Sequence, residues 1–84
     1  NYPNPFNPST TIRFNLPQAA PVKLAIVNRL GQTVRVLLDG KIAGGEHVMQ
    51  WDGLDNDGFS VPSGVYLYRL ESGGEVQTRK LILL

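Results

Sequence analysis

The sequence contains no cysteine, and it has one histidine and one tryptophan among 84 residues. The absence of cysteine excludes disulfides, thiolate zinc sites, iron–sulfur clusters and a cysteine nucleophile. Charge is sparse as well, because 18% of the residues are charged and the net charge is +1. A dedicated nucleic-acid binder normally carries a basic stripe, so nucleic acid is not expected as a partner. No apolar run approaches the roughly 20 residues that span a bilayer as a helix.

The sequence also offers few candidates for catalytic residues. His47 shares a predicted strand face with Met49 and Trp51, a setting that favours a packed or rim histidine over a catalytic one. No Gly-x-Ser-x-Gly motif surrounds any serine of the chain, so the nucleophile elbow of a hydrolase is missing. We therefore expect no enzymatic activity, no catalytic residue and no cofactor.

Glycine and proline, nine and six in number, divide the chain into short segments. Within these segments apolar residues alternate with polar ones, which is typical of strands with one buried face. The alternating segments begin at Ile12, Phe14 and Leu16 and continue at 22–27, 32–39 (with a bulge near Leu37-Leu38), 47–51, 63–72 and 76–84, while 59–61 is a candidate short edge piece. Gly31 and the pair Gly73-Gly74 are predicted at hairpin turns.

Strands at roughly 8–12-residue spacing indicate an all-β sandwich or barrel. We predict an immunoglobulin-like antiparallel β-sandwich of about seven short strands, with Trp51 and Tyr66 in its core. Residues 1–84 are expected to form a single domain. Residues 1–9 would be an extended lead-in rich in proline and asparagine, and residues 79–84 a terminal strand of basic and aliphatic residues.

The acidic segment 52–58 is the best candidate for a metal site. Its three carboxylates are Asp52, Asp55 and Asp57. Calcium prefers six to eight oxygen ligands, which such a segment could supply in part. In the register of a helix–loop–helix calcium site, however, Gly53 and Gly64 fall on ligand positions. Turn bonds from the Asp and Asn side chains to the backbone are the alternative.

Aromatic residues raise a second alternative, a carbohydrate-binding or adhesive sandwich appended to a secreted hydrolase. Phe59, Tyr66 and Tyr68 could form a platform on which sugar rings stack. The competing interpretation is core or edge packing, because tyrosines that alternate along a strand commonly serve that purpose.

Motifs along the whole chain resemble a known family. They are Asn1 to Ile12 with Leu16-Pro17, then Gly31-Gln32-Thr33-Val34, Ala43-Gly44 with His47, Trp51-Asp52-Gly53, Ser63-Gly64-Val65-Tyr66 and the closing run Arg79 to Leu84. In this order they resemble the C-terminal sorting domain, type A, of the type IX secretion system. The related immunoglobulin-like domain of the flagellar hook-capping protein shares the part from Trp-Asp-Gly to Gly-Val-Tyr.

The resemblance implies a non-catalytic targeting module that directs a larger protein to the outer membrane. Its expected partners are the type IX secretion machinery and an N-terminal cargo domain of the parent protein. The expected location is secreted or on the cell surface of a Gram-negative bacterium, reached through the periplasm. The resemblance places the sorting signal at Arg79, Lys80, Leu81, Ile82, Leu83 and Leu84.

A hook-capping-like assembly domain is the alternative function that the shared Trp-Asp-Gly and Gly-Val-Tyr motifs imply. The last strand, if it lies at a sheet edge, is expected to allow weak self-association, since edge strands leave backbone groups unpaired.

Overall fold

A computed structural model describes residues 9–84, which form six β-strands. The strands are β1 (Thr10–Leu16), β2 (Ala20–Val27), β3 (Thr33–Ile42), β4 (Gly45–Trp51), β5 (Gly64–Ser72) and β6 (Glu75–Leu83). None of these residues belongs to a helix that could cross a membrane. The predicted extended lead-in at residues 1–9 lies outside the described residues, except for Ser9.

The strands form two sheets, in which every pairing is antiparallel. The smaller sheet contains β1 and β4, and the larger sheet has the order β3-β2-β5-β6. The all-β, immunoglobulin-like prediction is confirmed, with six strands in the described part of the chain instead of about seven. The candidate edge piece at 59–61 contributes one isolated bridge, between Leu54 and Ser60.

Two turns have the chemistry that the sequence predicts. Gly31 has a φ of 82°, and the Asn28 side chain closes its turn by accepting the backbone N–H groups of Leu30 and Gln32 at 3.0 and 2.9 Å. Gly73 and Gly74 have φ values of 58° and 83°. Positive φ at both central residues is required by the tight turn that joins two antiparallel strands without splaying them.

A bulge interrupts the pairing of β2 with β3 where the sequence predicts one. Leu24 lies opposite Leu38, whereas Ala25 lies opposite Val36. Leu37 therefore has no partner on β2, and an extra residue of this kind increases the local twist of a strand. A second irregularity follows between Ile26 and Val27.

The core lies between the two sheets, and its buried residues come from every strand except β3, whose apolar side chains are partly buried against it. Its buried members are Ile12, Phe14, Leu16, Val22, Leu24, Ile26, Trp51, Tyr66, Leu70, Leu81 and Leu83. Trp51 is fully buried and meets the Tyr66 ring edge-on, with 5.1 Å between the ring centroids. The Tyr66 hydroxyl donates to the Pro62 carbonyl oxygen at 2.6 Å. A buried tyrosine whose hydroxyl binds the backbone a few residues upstream is a hallmark of immunoglobulin-like sandwiches.

Candidate functional site

Residues 52–62, here called the crossover loop, connect β4 of the smaller sheet to β5 of the larger one. The Leu54 carbonyl oxygen in this loop accepts two hydrogen bonds. One comes from Trp51 Nε1 at 2.9 Å and the other from Arg35 Nη1 at 3.2 Å. Because Trp51 ends β4 and Arg35 lies on β3, a single carbonyl ties the two sheets together.

Asn56 carries the loop further along the edge of β3. Its backbone N–H donates to the Val34 carbonyl oxygen at 3.0 Å. Its side-chain Oδ1 accepts the Val36 N–H at 2.9 Å. A residue of a neighbouring strand would make a similar pair of bonds through its own backbone. Asn56 thus takes the place of a strand beside β3, with an amide oxygen in place of a main-chain carbonyl.

Two of the three calcium candidates, Asp52 and Asp55, use their carboxylates in contacts within the loop and toward β3, whereas Asp57 takes part through its backbone N–H. Asp55 Oδ1 accepts the N–H groups of Asp57 and Phe59, both at 2.9 Å. Asp52 Oδ1 accepts the Leu54 N–H at 3.1 Å and lies 3.3 Å from Arg35 Nη1. Among residues 9–84, no group of three or more acidic or histidine side chains is placed to hold a metal ion. The observed contacts of Asp52 and Asp55 are therefore mainly hydrogen bonds from backbone N–H groups to side chains, which stabilise the turn.

His47 is half-buried on β4. Its ring stacks on Phe14 of β1, with centroids 5.3 Å apart and planes inclined by 22°. Nε2 lies 2.7 Å from the Ala43 carbonyl oxygen, which can only accept, so this nitrogen is the donor. The side chain is held between an aromatic ring and a backbone carbonyl, both of which fix its orientation.

A groove of about 480 Å³ runs between the end of β1 and the inner face of β5 and β6. Arg13, Tyr68, Gln77 and Arg79 are among its lining residues. The three aromatics proposed as a sugar platform are separated here. Tyr68 lines the groove, Tyr66 is buried in the core, and Phe59 is exposed on the crossover loop.

The residues predicted as a sorting signal divide between core and surface. Leu81 and Leu83 are buried in the core, whereas Ile82 and Leu84 are exposed. Arg79 and Lys80 are exposed on β6, which is an edge strand of the larger sheet. Two of the four aliphatic side chains therefore hold the sandwich together and are not displayed. The sorting role of this run stays a prediction of the resemblance.

Comparison with known families identifies the architecture. The family model of the FlgD Ig-like domain matches residues 6–75. The chain belongs to the FlgD Ig-like domain family. The relationship to the hook-capping immunoglobulin-like domain, which the shared motifs indicated, is thereby confirmed. Strand β6 lies almost wholly beyond the matched residues.

Solved structures of FlgD proteins have the same fold. FlgD from P. aeruginosa superimposes with a TM-score of 0.70 at 24% identity, over 90% of this chain and 59% of that protein. FlgD from Xanthomonas campestris, described in connection with hook capping essential for flagellar assembly, gives 0.69 at 24% identity, over 92% of this chain and 56% of that protein. The chain thus spans somewhat more than half of each FlgD structure. No curated protein sequence matches it.

These matches correct the interpretation drawn from the type IX resemblance. Type IX sorting was the wrong family assignment, because the model that matches is that of the FlgD Ig-like domain. The type IX machinery and a cargo domain were the wrong partners for the same reason, since the matching family model and both matching structures are those of FlgD. The two families share the Trp51-Asp52-Gly53 and Gly64-Val65-Tyr66 motifs. In the structure Trp51 and Tyr66 lie in the core, Asp52 and Gly53 begin the crossover loop, and Gly64 and Val65 begin β5. These motifs therefore indicate the fold that the two families share, and they do not indicate which partner a member of either family binds. The matches to FlgD give no support to the predicted self-association through the last strand, β6.

Sequence reasoning missed two residues of the crossover loop site. Arg35 and Asn56 are 17 to 22 positions from the loop or strand groups that they bind, and no local pattern links them. The one available signal is the position of Asn56 in the run Asp55-Asn56-Asp57-Gly58, which predicts a turn. That signal gives the conformation of the loop but not the strand on which it packs.

Proposed function

We propose that the chain is a non-catalytic assembly domain of a hook-capping protein, acting in the construction of a bacterial flagellum. The observation that carries the proposal is the match of the FlgD Ig-like model to residues 6–75. The fold shared with two FlgD structures supports it. The flagellar hook lies outside the cell, so the proposal keeps an extracellular location while replacing the route and the partner.

The side chains of the domain also favour a structural role. His47 is fixed against Phe14 and Ala43, and the carboxylates of Asp52 and Asp55 are engaged in turn bonds. General acid–base catalysis needs a proton-transferring group placed at the position of a substrate. These groups instead stabilise the local backbone, which is the expected use of polar residues in a rigid building block.

The proposal is tested by deleting residues 1–84 from the parent gene and examining the host by electron microscopy. Cells with the deletion should lack normal hooks, and the intact gene supplied in trans should restore them. A Trp51→Ala version of the parent should resemble the deletion, because the core cannot close around the cavity. An Asp57→Ala version, matched in being a single substitution, should restore hooks. Normal hooks in the deletion strain, or a host that builds no flagellar hook, would contradict the proposal.

A further inference from the structure

The crossover loop covers part of the edge of β3, one of the two outer strands of the larger sheet. β3 and β6 are both edge strands. Exposed backbone N–H and C=O groups on an edge are a template on which a strand of another molecule can add. In the described part of the chain, the crossover loop occupies the edge of β3 through Asn56, at the Val34 carbonyl and the Val36 N–H.

We propose that Asn56 is an edge guard, which prevents a second copy of this chain from pairing with β3. The guard is independent of whether the domain caps a hook. β3 is ten residues long, the longest strand of the described chain, and its first half carries the valines 34 and 36. A long edge strand rich in β-branched residues is the kind that associates with copies of itself unless something blocks it.

The contacts of Asn56 suit this role better than a purely local one. A turn residue satisfies neighbouring backbone groups, as Asp55 does for Asp57 and Phe59. Asn56 instead binds a strand that lies about 20 residues away in the sequence. It donates its backbone N–H to that strand and accepts a hydrogen bond from it through Oδ1. The side chain is exposed, so its contribution lies in these bonds and not in filling the core.

Arg35 holds the guard in position. It lies between Val34 and Val36, and its guanidinium reaches back to the Leu54 carbonyl and to Asp52 Oδ1 at 3.2 and 3.3 Å. Arg35 of β3 therefore holds the crossover loop at Asp52 and Leu54, just before Asn56 in the chain. Opening the loop requires breaking these contacts together, which keeps the edge closed in the resting molecule.

The test compares Asn56→Ala with the unchanged 84-residue chain by amide hydrogen exchange and sedimentation velocity. Loss of the Oδ1 acceptor should speed exchange of the Val36 amide about tenfold, the effect of removing one hydrogen bond. The sedimentation coefficient should then rise with concentration, whereas the unchanged chain stays monomeric. Asn56→Gly also lacks the side-chain acceptor, carries the same prediction, and replaces Asn56→Ala if circular dichroism shows that the latter does not fold.

Three further variants separate the guard from general loosening of the loop. Asn56→Asp keeps an acceptor oxygen and should behave as the unchanged chain, as should Asp57→Ala, which alters the neighbouring position. Adding Thr33→Lys to Asn56→Ala places a charge on the exposed edge, so association should disappear while the Val36 amide still exchanges fast. Two results would overturn the proposal: fast exchange in Asn56→Ala without any association, or association that Thr33→Lys leaves unchanged.

Discussion

Trp51 and Arg35 donate hydrogen bonds to the same carbonyl oxygen, that of Leu54, at 2.9 and 3.2 Å. The tryptophan is fully buried at the end of the smaller sheet, and the arginine is half-buried on the edge strand of the larger sheet. The start of the crossover loop, at Leu54, is thus held by one side chain from each sheet. The stability of this loop should therefore depend on these two side chains.

Trp51→Ala should lower the free energy of unfolding by about 3–5 kcal/mol, because a large buried ring is lost and a cavity remains. Urea denaturation followed by circular dichroism measures the change. Val48→Ala is the matched control on the same strand, since Val48 is 51% exposed and should change stability by less than about 0.5 kcal/mol. Equal effects of the two substitutions would mean that Trp51 does not anchor the core.

Asp52→Asn should cost less than about 1 kcal/mol, even though it removes the ion pair with Arg35. Both side chains are partly exposed, at 30% for Arg35 and 58% for Asp52, and exposed pairs contribute little. The amide oxygen of the variant can still accept the Leu54 N–H. The remaining cost should fall as salt is raised, because screening weakens the pair in the parent chain. A larger loss that salt does not change would contradict this account of the contact.

Asp55→Ala should be the most destabilising change among the acidic residues of the crossover loop. One carboxylate oxygen accepts two backbone N–H groups, and we expect a loss of about 1–3 kcal/mol when both lose their partner. Asp57→Ala is the control, because the Asp57 contact with Asp55 is made by its backbone N–H. The melting temperatures of the two variants, measured side by side, test this prediction. A larger loss of stability in Asp57→Ala than in Asp55→Ala would contradict it.

Gly44→Ala and Gly40→Ala should differ in their effect on the free energy of unfolding, although the substitution is the same. A Cβ at Gly44 would lie 2.8 Å from the Cα of Gln18 in the turn between β1 and β2, and a backbone neighbour yields only by moving that turn. Overpacking of this kind costs about 1–3 kcal/mol. A Cβ at Gly40 meets nothing within 4 Å, so that variant should lie within about 0.5 kcal/mol of the parent. Similar melting temperatures for both variants would show that the Gln18 turn is not held against Gly44.

The secondary structure of this domain could be predicted because its signals are local. The alternation of Ile12, Phe14 and Leu16 and the Gly73-Gly74 turn each depend on residues within a few positions. The bulge at Leu37 follows from two adjacent leucines in an alternating strand.

The candidate site could not be predicted in the same way. Which strand the crossover loop binds depends on the order of strands in the sheet, and Asn56 contacts Val36 across 20 positions of sequence. The partner was misjudged for a related reason. Trp51, Asp52 and Tyr66 serve the core and the loop, and residues with structural roles recur in any family that keeps the fold.

The central claim, that this domain acts at the flagellar hook, is tested most directly by locating it there. Antibodies raised against the 84-residue chain, coupled to gold, would be applied to cells that are assembling hooks and viewed by electron microscopy. A hook-capping role predicts gold at the distal ends of growing hooks, with the label lost in the strain lacking residues 1–84. Gold spread over the cell surface with none at hook ends would contradict the account.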